Sequence, residues 1–286
     1  EVGDVTVVKN DGDSIVTLAT YADRILQFKR NSMYLINITR EDAFLESEHK
    51  YKGVDNFGAV CETDFGIAWA NTTGCYLYDG RSVSNLLEKD GVTKISSSSW
   101  TAFYSTRTRV GYNPINRQII VTSGIDGTDA HHHSAYIYDM LTRSWMYRND
   151  FMTDGNTGSP FRNKSFSGDL VIVSDVNNEE KIEKWQEISG DATTTISLVT
   201  KAFDFGQPSI RKIYKVYVTY KGGTSQDCTM VYGLDGAAPS AAFDTALNSD
   251  TGNLVIAECK PSASINEAKS FQLKISGTAA DTFEIQ

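Results

Sequence analysis

GVDNFGAVCETDFGIAWANTTGCYLYDG, residues Gly53 to Gly80, sets the pattern that the rest of the chain repeats. It divides into three short runs rich in β-branched and aromatic residues: Ala59 to Thr63, Ile67 to Asn71 and Cys75 to Tyr78. Between them stand Asp64-Phe65-Gly66 and Thr72-Thr73-Gly74, each ending in the glycine that a turn with positive φ requires. The stretch therefore predicts three antiparallel strands joined by tight turns.

A four-stranded sheet of this kind cannot bury both of its faces alone, so such units recur and cover one another. The recurring piece here is an aromatic or aliphatic alternation closed by Asp or Asn: Met33-Tyr34-Leu35-Ile36-Asn37, Cys75-Tyr76-Leu77-Tyr78-Asp79 and Ala135-Tyr136-Ile137-Tyr138-Asp139. Ile182-Glu183-Lys184-Trp185-Gln186 is a weaker fourth copy. The intervals from Tyr34 to Tyr76 and from Tyr76 to Tyr136 bracket the ~40 to 50 residues of one propeller blade, the longer one holding an insertion. The third copy continues through Leu141-Thr142-Arg143-Ser144-Trp145-Met146 as a fourth strand, a phrasing that resembles kelch-type blades.

Outward from these copies, Ser14 to Thr20, Arg24 to Lys29 and Ser32 to Ile38 form the first unit. Charged Arg40 to Tyr51 is expected as a loop or one helical turn. Polar Gly80 to Trp100, with Ser96-Ser97-Ser98-Ser99, is expected as a loop closing the second unit. Thr108 to Tyr112, Gln118 to Ser123 and Ser134 to Tyr138 begin the third, with a type I turn at Asn113-Pro114-Ile115-Asn116. Phe161 to Ile188 supplies a fourth, built on Leu170-Val171-Ile172-Val173. After Gly190-Asp191 the composition changes. Thr193 to Val199, Lys212 to Tyr220, Thr229 to Gly233, Leu254 to Glu258 and Ser270 to Ser276 have the spacing of a β-sandwich.

The expected fold is thus all-β: an irregular or partial β-propeller of about four blades in residues 1–190, then a β-sandwich in 191–286. The opening Glu1 to Asp11 lacks an initiator Met, and Asp281 to Gln286 looks like the start of another strand. Both ends are therefore expected to be cuts into a longer chain with more blades.

Composition agrees with a globular β chain: 286 residues, 40% hydrophobic, 11% aromatic, and 22 Gly placed mostly at turns. The net charge of −9 removes long-range attraction to nucleic acid phosphate for the chain as a whole, which argues against a sequence-reading nucleic-acid binder. No run approaches the ~18 apolar residues of a membrane span, and no signal peptide opens the sequence, so no membrane partner is expected. Cys61 and Cys75 fall on the first and third strands of the Gly53 unit, ~9 to 10 Å apart, too far for a disulfide. Buried free thiols are expected for these and for Cys228 and Cys259, as in a protein assembled in a reducing cytoplasm.

Candidate chemistry is sparse. His131-His132-His133 is the obvious cluster, but alternate residues of an extended chain point to opposite sides. Only His131 and His133 could share a metal ion, and no further ligand follows at a suitable spacing, so a solvated loop tip is the expected reading. No Gly-x-Ser-x-Gly, P-loop or Cys-x-x-Cys motif occurs, and nothing singles out a carboxylate pair for glycoside hydrolysis. Trp100, Tyr104, Trp145 and Tyr147 are candidates for stacking on a sugar or at an interface, with packing between blades the expected reading. Arg107, Arg109, Arg117, Arg143 and Arg148 form a modest basic set, expected as a solvated or subunit-contact surface. No catalytic residue or cofactor is expected.

Three phrases carry a family resemblance: Arg24-Ile25-Leu26-Gln27-Phe28-Lys29-Arg30-Asn31-Ser32-Met33-Tyr34-Leu35-Ile36-Asn37, Asp64-Phe65-Gly66-Ile67-Ala68-Trp69-Ala70-Asn71, and Phe203-Asp204-Phe205-Gly206-Gln207-Pro208-Ser209-Ile210-Arg211-Lys212. They resemble structural proteins of marine tailed bacteriophages, and in layout the chain is similar to the tail tubular or nozzle proteins of short-tailed phages. The resemblance implies a non-enzymatic virion protein assembled in the bacterial cytoplasm. It further implies a homo-oligomeric ring, a hexamer, in contact with portal, adaptor, tail and fibre proteins, through whose lumen double-stranded DNA is ejected. An acidic wall suits that task, because rings of Lys and Arg would bind phosphate and stall the duplex. The alternative is a virion module that binds host-surface glycan, and beyond it a polysaccharide-degrading chain.

Overall fold

The computed structural model describes residues 12–40, 42–89, 91–123, 134–148, 170–176, 179–185, 194–205, 210–222, 227–248, 252–279 and 283–285. The chain is all-β, built of several small antiparallel sheets, and divides into two compact units, Glu1–Gly190 and Asp191–Gln286.

The first unit opens with a four-stranded meander in sequence order: β1 (Ile15–Tyr21), β2 (Arg24–Lys29), β3 (Ser32–Asn37) and β4 (Phe44–Lys50). Strand β4 corrects the loop or helical turn expected over Arg40 to Tyr51. Its register against β3 runs from Asn37↔Phe44 to Ser32↔Lys50 with one irregularity between Leu35 and Ile36. Charge hid it from the sequence, since edge strands carry charged residues that blur the alternation.

The second meander follows a short 3-10 turn at Phe57–Ala59. It comprises β5 (Val60–Thr63), β6 (Gly66–Asn71), β7 (Gly74–Tyr78) and β8 (Val83–Asn85). Its two tight turns use glycine for different reasons. Gly66 takes φ +139°, and a Cβ there would fall on the Tyr78 carbonyl oxygen. Gly74 is not at positive φ, contrary to the expectation from Thr-Thr-Gly. There the Asn71 carboxamide oxygen accepts the Thr73 and Gly74 N–H groups at 2.8 and 3.1 Å and forms the turn itself. Glycine here leaves room for side chains, because a Cβ would stand 2.9 Å from the Tyr76 hydroxyl and 3.1 Å from Asn85 Oδ1.

A hairpin, β9 (Glu88–Lys89) with β10 (Val92–Thr93), leads to the helix α1 (Ser97–Phe103). Gly80 to Trp100, expected as loop, therefore holds β8, this hairpin and, from the serine run, the start of that helix. The Ser96 hydroxyl caps it by accepting the Ser99 N–H at 3.1 Å. The third meander is β11 (Arg109–Asn113), β12 (Gln118–Thr122), β13 (Ala135–Asp139) and β14 (Ser144–Arg148), and a further hairpin pairs β15 (Val171–Val176) with β16 (Glu179–Lys184).

Every residue of β6 is buried, and the two directions of the pleat explain why. Ile67 and Trp69 enter a core with Leu26, Phe28, Met33 and Leu35 of the first meander. Ala68 and Ala70 enter another with Val110, Tyr112, Ile119 and Val121 of the third. Strand β12 repeats the device: Ile119 and Val121 face the second meander, while Ile120 joins Ile137, Leu170 and Trp185. Consecutive meanders are therefore stacked face to face, each closing the core of the one before.

The second unit holds β17 (Thr194–Val199), β18 (Arg211–Ile213), β19 (Val216–Lys221), β20 (Asp227–Leu234), β21 (Ala241–Ala242), β22 (Leu254–Cys259), β23 (Ile265–Ala268), β24 (Phe271–Ala279) and β25 (Glu284–Ile285). Sheet β17-β24-β20-β21 and sheet β22-β19-β25 send alternate residues into one core: Cys228, Met230, Tyr232, Leu273 and Ile275 from the first, Val218, Tyr220, Ala257 and Cys259 from the second. The two-stranded pair β18-β23 adds Ile265 and Ala268.

Candidate functional site

The densest side-chain chemistry outside the aliphatic cores lies where α1 meets β13 and β14. Antiparallel pairing sets Tyr136 opposite Tyr147 and Tyr138 opposite Trp145, so these four rings share one face of the sheet. The helix contributes Trp100 and, one turn later on the same side, Phe103. Ring centroids lie 4.7 Å apart for Phe103–Tyr136, 4.8 Å for Tyr136–Tyr147, 5.0 Å for Tyr138–Trp145 and 6.1 Å for Trp100–Trp145.

The array has a dry end and a wet end. At the dry end both indoles are tied to carbonyls of the second meander. Trp100 Nε1–H donates to Asn71 O at 2.8 Å, and Trp145 Nε1–H donates to Leu86 O at 2.8 Å. Burial raises the Tyr138 phenol above its ordinary range, and Lys94 reaches over the same ring while its ammonium donates to the Arg143 carbonyl. At the wet end Tyr147 is 52% exposed, and Phe103 and Tyr136 are half-buried beside it.

The four aromatic candidates are thus not one surface. Trp100 and Tyr104 are core residues, 1% and 8% exposed. Trp100 packs in the core shared by the second and third meanders instead of facing a ligand, because the serine run is a helix that turns the indole inward. The Tyr104 hydroxyl donates to Asp55 Oδ2 at 2.8 Å, and burial first, then that carboxylate, hold the phenol protonated far above its usual range. Trp145 is half-buried at a join, and Tyr147 alone faces solvent. Phe103 and Tyr136 escaped sequence reasoning; the Tyr136-x-Tyr138 and Trp145-x-Tyr147 alternations were the available signal.

Of the basic set, Arg109 is half-buried: its Nη1 donates to Asn56 Oδ1 at 2.6 Å and its guanidinium covers the Phe57 ring. Burial lowers its pKa. Arg117 and Arg143 occupy turns at φ +53° and +56°. These arginines are spent on turns and joins instead of converging on a ligand. His131 and His133 lie outside the described residues, and among the described residues no group of three His, Cys, Asp or Glu side chains is placed to hold a metal ion. Cys61, Cys75, Cys228 and Cys259 are buried free thiols, and burial raises the Cys75 thiol strongly. No helix among the described residues is long and apolar enough to cross a membrane.

The fold and this site define an all-β chain of stacked meanders with an aromatic join that opens to solvent at one end. No family model matches the sequence, and no curated protein matches it. Among solved structures, a glycoside hydrolase family 43 arabinoxylan arabinofuranohydrolase from Bacillus subtilis, in complex with cellotetraose, aligns over 94% of both chains with 8% identity. The TM-score is 0.19, too low to carry its fold or its chemistry to this chain.

Proposed function

We propose that the chain is a non-enzymatic structural protein of a tailed bacteriophage virion, part of the tail tube or nozzle. In this reading the stacked meanders of residues 1–190 are propeller blades and residues 191–286 are a β-sandwich. Copies form a hexameric ring with other tail, adaptor and fibre proteins, and DNA leaves through its lumen. The supporting observation is where the polar side chains go. Asn71 Nδ2 donates to the Tyr51 and Gly53 carbonyls, Asn56 Nδ2 to the Thr106 and Thr108 carbonyls, Trp100 and Trp145 to the carbonyls named above, and Tyr112 to Asp64. Groups that could serve chemistry are used to bind one meander to the next, as a rigid building part requires.

The test is native mass spectrometry and electron microscopy of the full-length protein and of virions that contain it. Rings with a hole wide enough for a duplex, or density on the tail axis, are expected. A compact monomer or a peripheral trimer would overturn the reading. A second reading, a host-glycan-binding virion module, is favoured by one feature, the exposed Tyr147 beside Phe103 and Tyr136. A glycan array addresses it directly.

A further inference from the structure

Three segments of the first unit meet at one edge: Arg30-Asn31, Lys50-Tyr51-Lys52-Gly53-Val54-Asp55-Asn56-Phe57 and Ser105-Thr106-Arg107-Thr108-Arg109. Hydrogen bonds hold them together. The Val54 N–H donates to the Lys29 carbonyl at 2.9 Å, and Gly53 packs directly on the Arg30 carbonyl. Asn56 Nδ2 donates to the Thr106 and Thr108 carbonyls at 2.8 and 3.1 Å. In a chain of net charge −9 these segments carry five basic residues and one acidic one. The acid, Asp55, accepts the Tyr104 hydroxyl. Two carboxylates approach from outside: Asp13 accepts the Arg30 and Asn31 N–H groups at 3.0 and 2.8 Å, and the exposed Glu88 lies within Coulombic reach of Lys52. Among the described residues Arg30, Lys50 and Lys52 are in no ion pair. Arg30, Lys50 and Arg107 are exposed, whereas Lys52 is half-buried with its ammonium 3.8 Å from the Tyr76 ring centroid.

Two exposed rings stand among these cations. Tyr51, 75% exposed, takes φ +62°, a left-handed backbone that a bulky side chain rarely adopts. Asn71 Nδ2 and Thr73 Oγ1 donate to its carbonyl at 3.0 and 3.1 Å and hold the segment in that form. Phe57, 69% exposed, is backed by the Arg109 guanidinium, 5.8 Å from the ring centroid, and Arg109 is itself fixed by Asn56. Cations alone would suit any polyanion. Exposed rings interleaved with cations match unpaired bases and their phosphates, whereas the bases of a duplex, already stacked on one another, could not use the rings.

We infer that this edge binds single-stranded nucleic acid without reading its sequence, Arg30, Lys50 and Arg107 contacting phosphates and Tyr51 and Phe57 stacking on bases. Lys52 and Arg109 add to the local field from their fixed positions. The negative charge of the whole chain opposes attraction at long range and so confines binding to this edge. The contact lies within residues 1–190 and needs no second copy, so it does not rest on the ring.

The test is fluorescence anisotropy of a labelled oligothymidine of about 15 nucleotides, within the usual range of single-strand sites, titrated with the full chain over a salt series. Three phosphate contacts give an expected log–log salt slope of about −2, which Arg30→Gln or Lys50→Gln should bring to about −1.4. Tyr51→Ala and Phe57→Ala are each expected to weaken binding roughly five- to 150-fold with the slope unchanged. Arg211→Gln, at an exposed arginine of the second unit, is expected to change nothing. Circular dichroism confirms that each variant folds. No binding at low salt, or binding that none of the four edge variants weakens, would overturn the inference. A duplex of the same length bound as tightly, with the Tyr51 and Phe57 variants neutral, would overturn the stacking. Binding of polyglutamate but not of the oligonucleotide would overturn it in favour of an acidic protein partner. Binding by a chain that stays monomeric would support this edge while overturning the ring.

Discussion

Trp69 and Trp100 are both fully buried, yet the same substitution should cost much more at 100 than at 69. Trp100, 1% exposed, gives its indole N–H to Asn71 O in a buried hydrogen bond. Trp69, 0% exposed between Phe28 and Tyr76, meets no acceptor among the described residues. Replacing indole by phenyl keeps much of the packing, so the lost volume costs about 1–2 kcal/mol at either site, well below the truncation of a tryptophan to alanine. At position 100 the change also strands a buried carbonyl, adding about 1–3 kcal/mol. At position 69 it removes a buried unsatisfied donor and returns a similar amount. Trp100→Phe is therefore expected to cost about 2–5 kcal/mol, and Trp69→Phe to stay within about 1 kcal/mol of wild type or to stabilise. Urea unfolding at constant m-value measures both. All four tryptophans, at 69, 100, 145 and 185, lie in residues 1–190, so the remaining three report on that unit by fluorescence. Equal costs at the two positions, or a larger cost at 69, would refute the reasoning.

Gly66→Ala is expected to destabilise by about 2 kcal/mol or more, because the new methyl falls on the Tyr78 carbonyl and φ is +139°; a thermal melt within a degree of wild type would contradict this. Glu46 accepts Asn37 Nδ2 at 2.8 Å and Arg24 Nε at 3.1 Å, which hold its carboxyl below the usual range. A depressed carboxyl stabilises above its unfolded value, near pH 4.3, and ceases to as pH falls through the folded value. Glu46→Gln should then lower Tm at pH 7, with the gap to wild type narrowing as pH falls through the depressed folded value, as melts at descending pH would show. The four thiols are buried, with the Cys75 thiol raised by burial, so a thiol-specific chromogenic reagent should titrate them only once denaturant is added.

The alternation of the Gly53 stretch located β5, β6 and β7 because short apolar runs between turn residues have few other solutions. It could not distinguish the two reasons for glycine. Gly66 answers to a backbone angle, whereas Gly74 answers to the Tyr76 hydroxyl two residues on, a contact that exists only once the hairpin has closed. Two of the missed elements share one cause. In β4 and α1 the local sequence is polar, and tertiary pairing decides the conformation: β3 recruits Phe44–Lys50 into the first sheet, and Trp100 finds the join between the second and third meanders. For the candidate site the same holds. Tyr136 and Tyr147 were visible as aromatics, but their facing arrangement follows from the β13–β14 register, and Phe103 joins them only if Ser97–Phe103 is helical.

The stacking of meanders limits how the first unit can fail. Strand β6 supplies residues to two cores at once, and β12 does the same one sheet further on, so no meander has a private core that could melt alone. Polar contacts add to this coupling. The turn that Asn71 makes through its oxygen is fixed from the other side by its nitrogen, which donates to the Tyr51 and Gly53 carbonyls, and its own carbonyl accepts Trp100. One residue thereby links the segment after the first meander, the turn of the second and the helix before the third. A nearest-neighbour array of this kind loses stability through its joins more than through its strands. The residues that matter most to its integrity are therefore those whose side chains cross a join: Asn71, Trp100, Trp145 and Asn56. An exposed residue such as Tyr147, which crosses none, is free to be selected for a ligand or a partner.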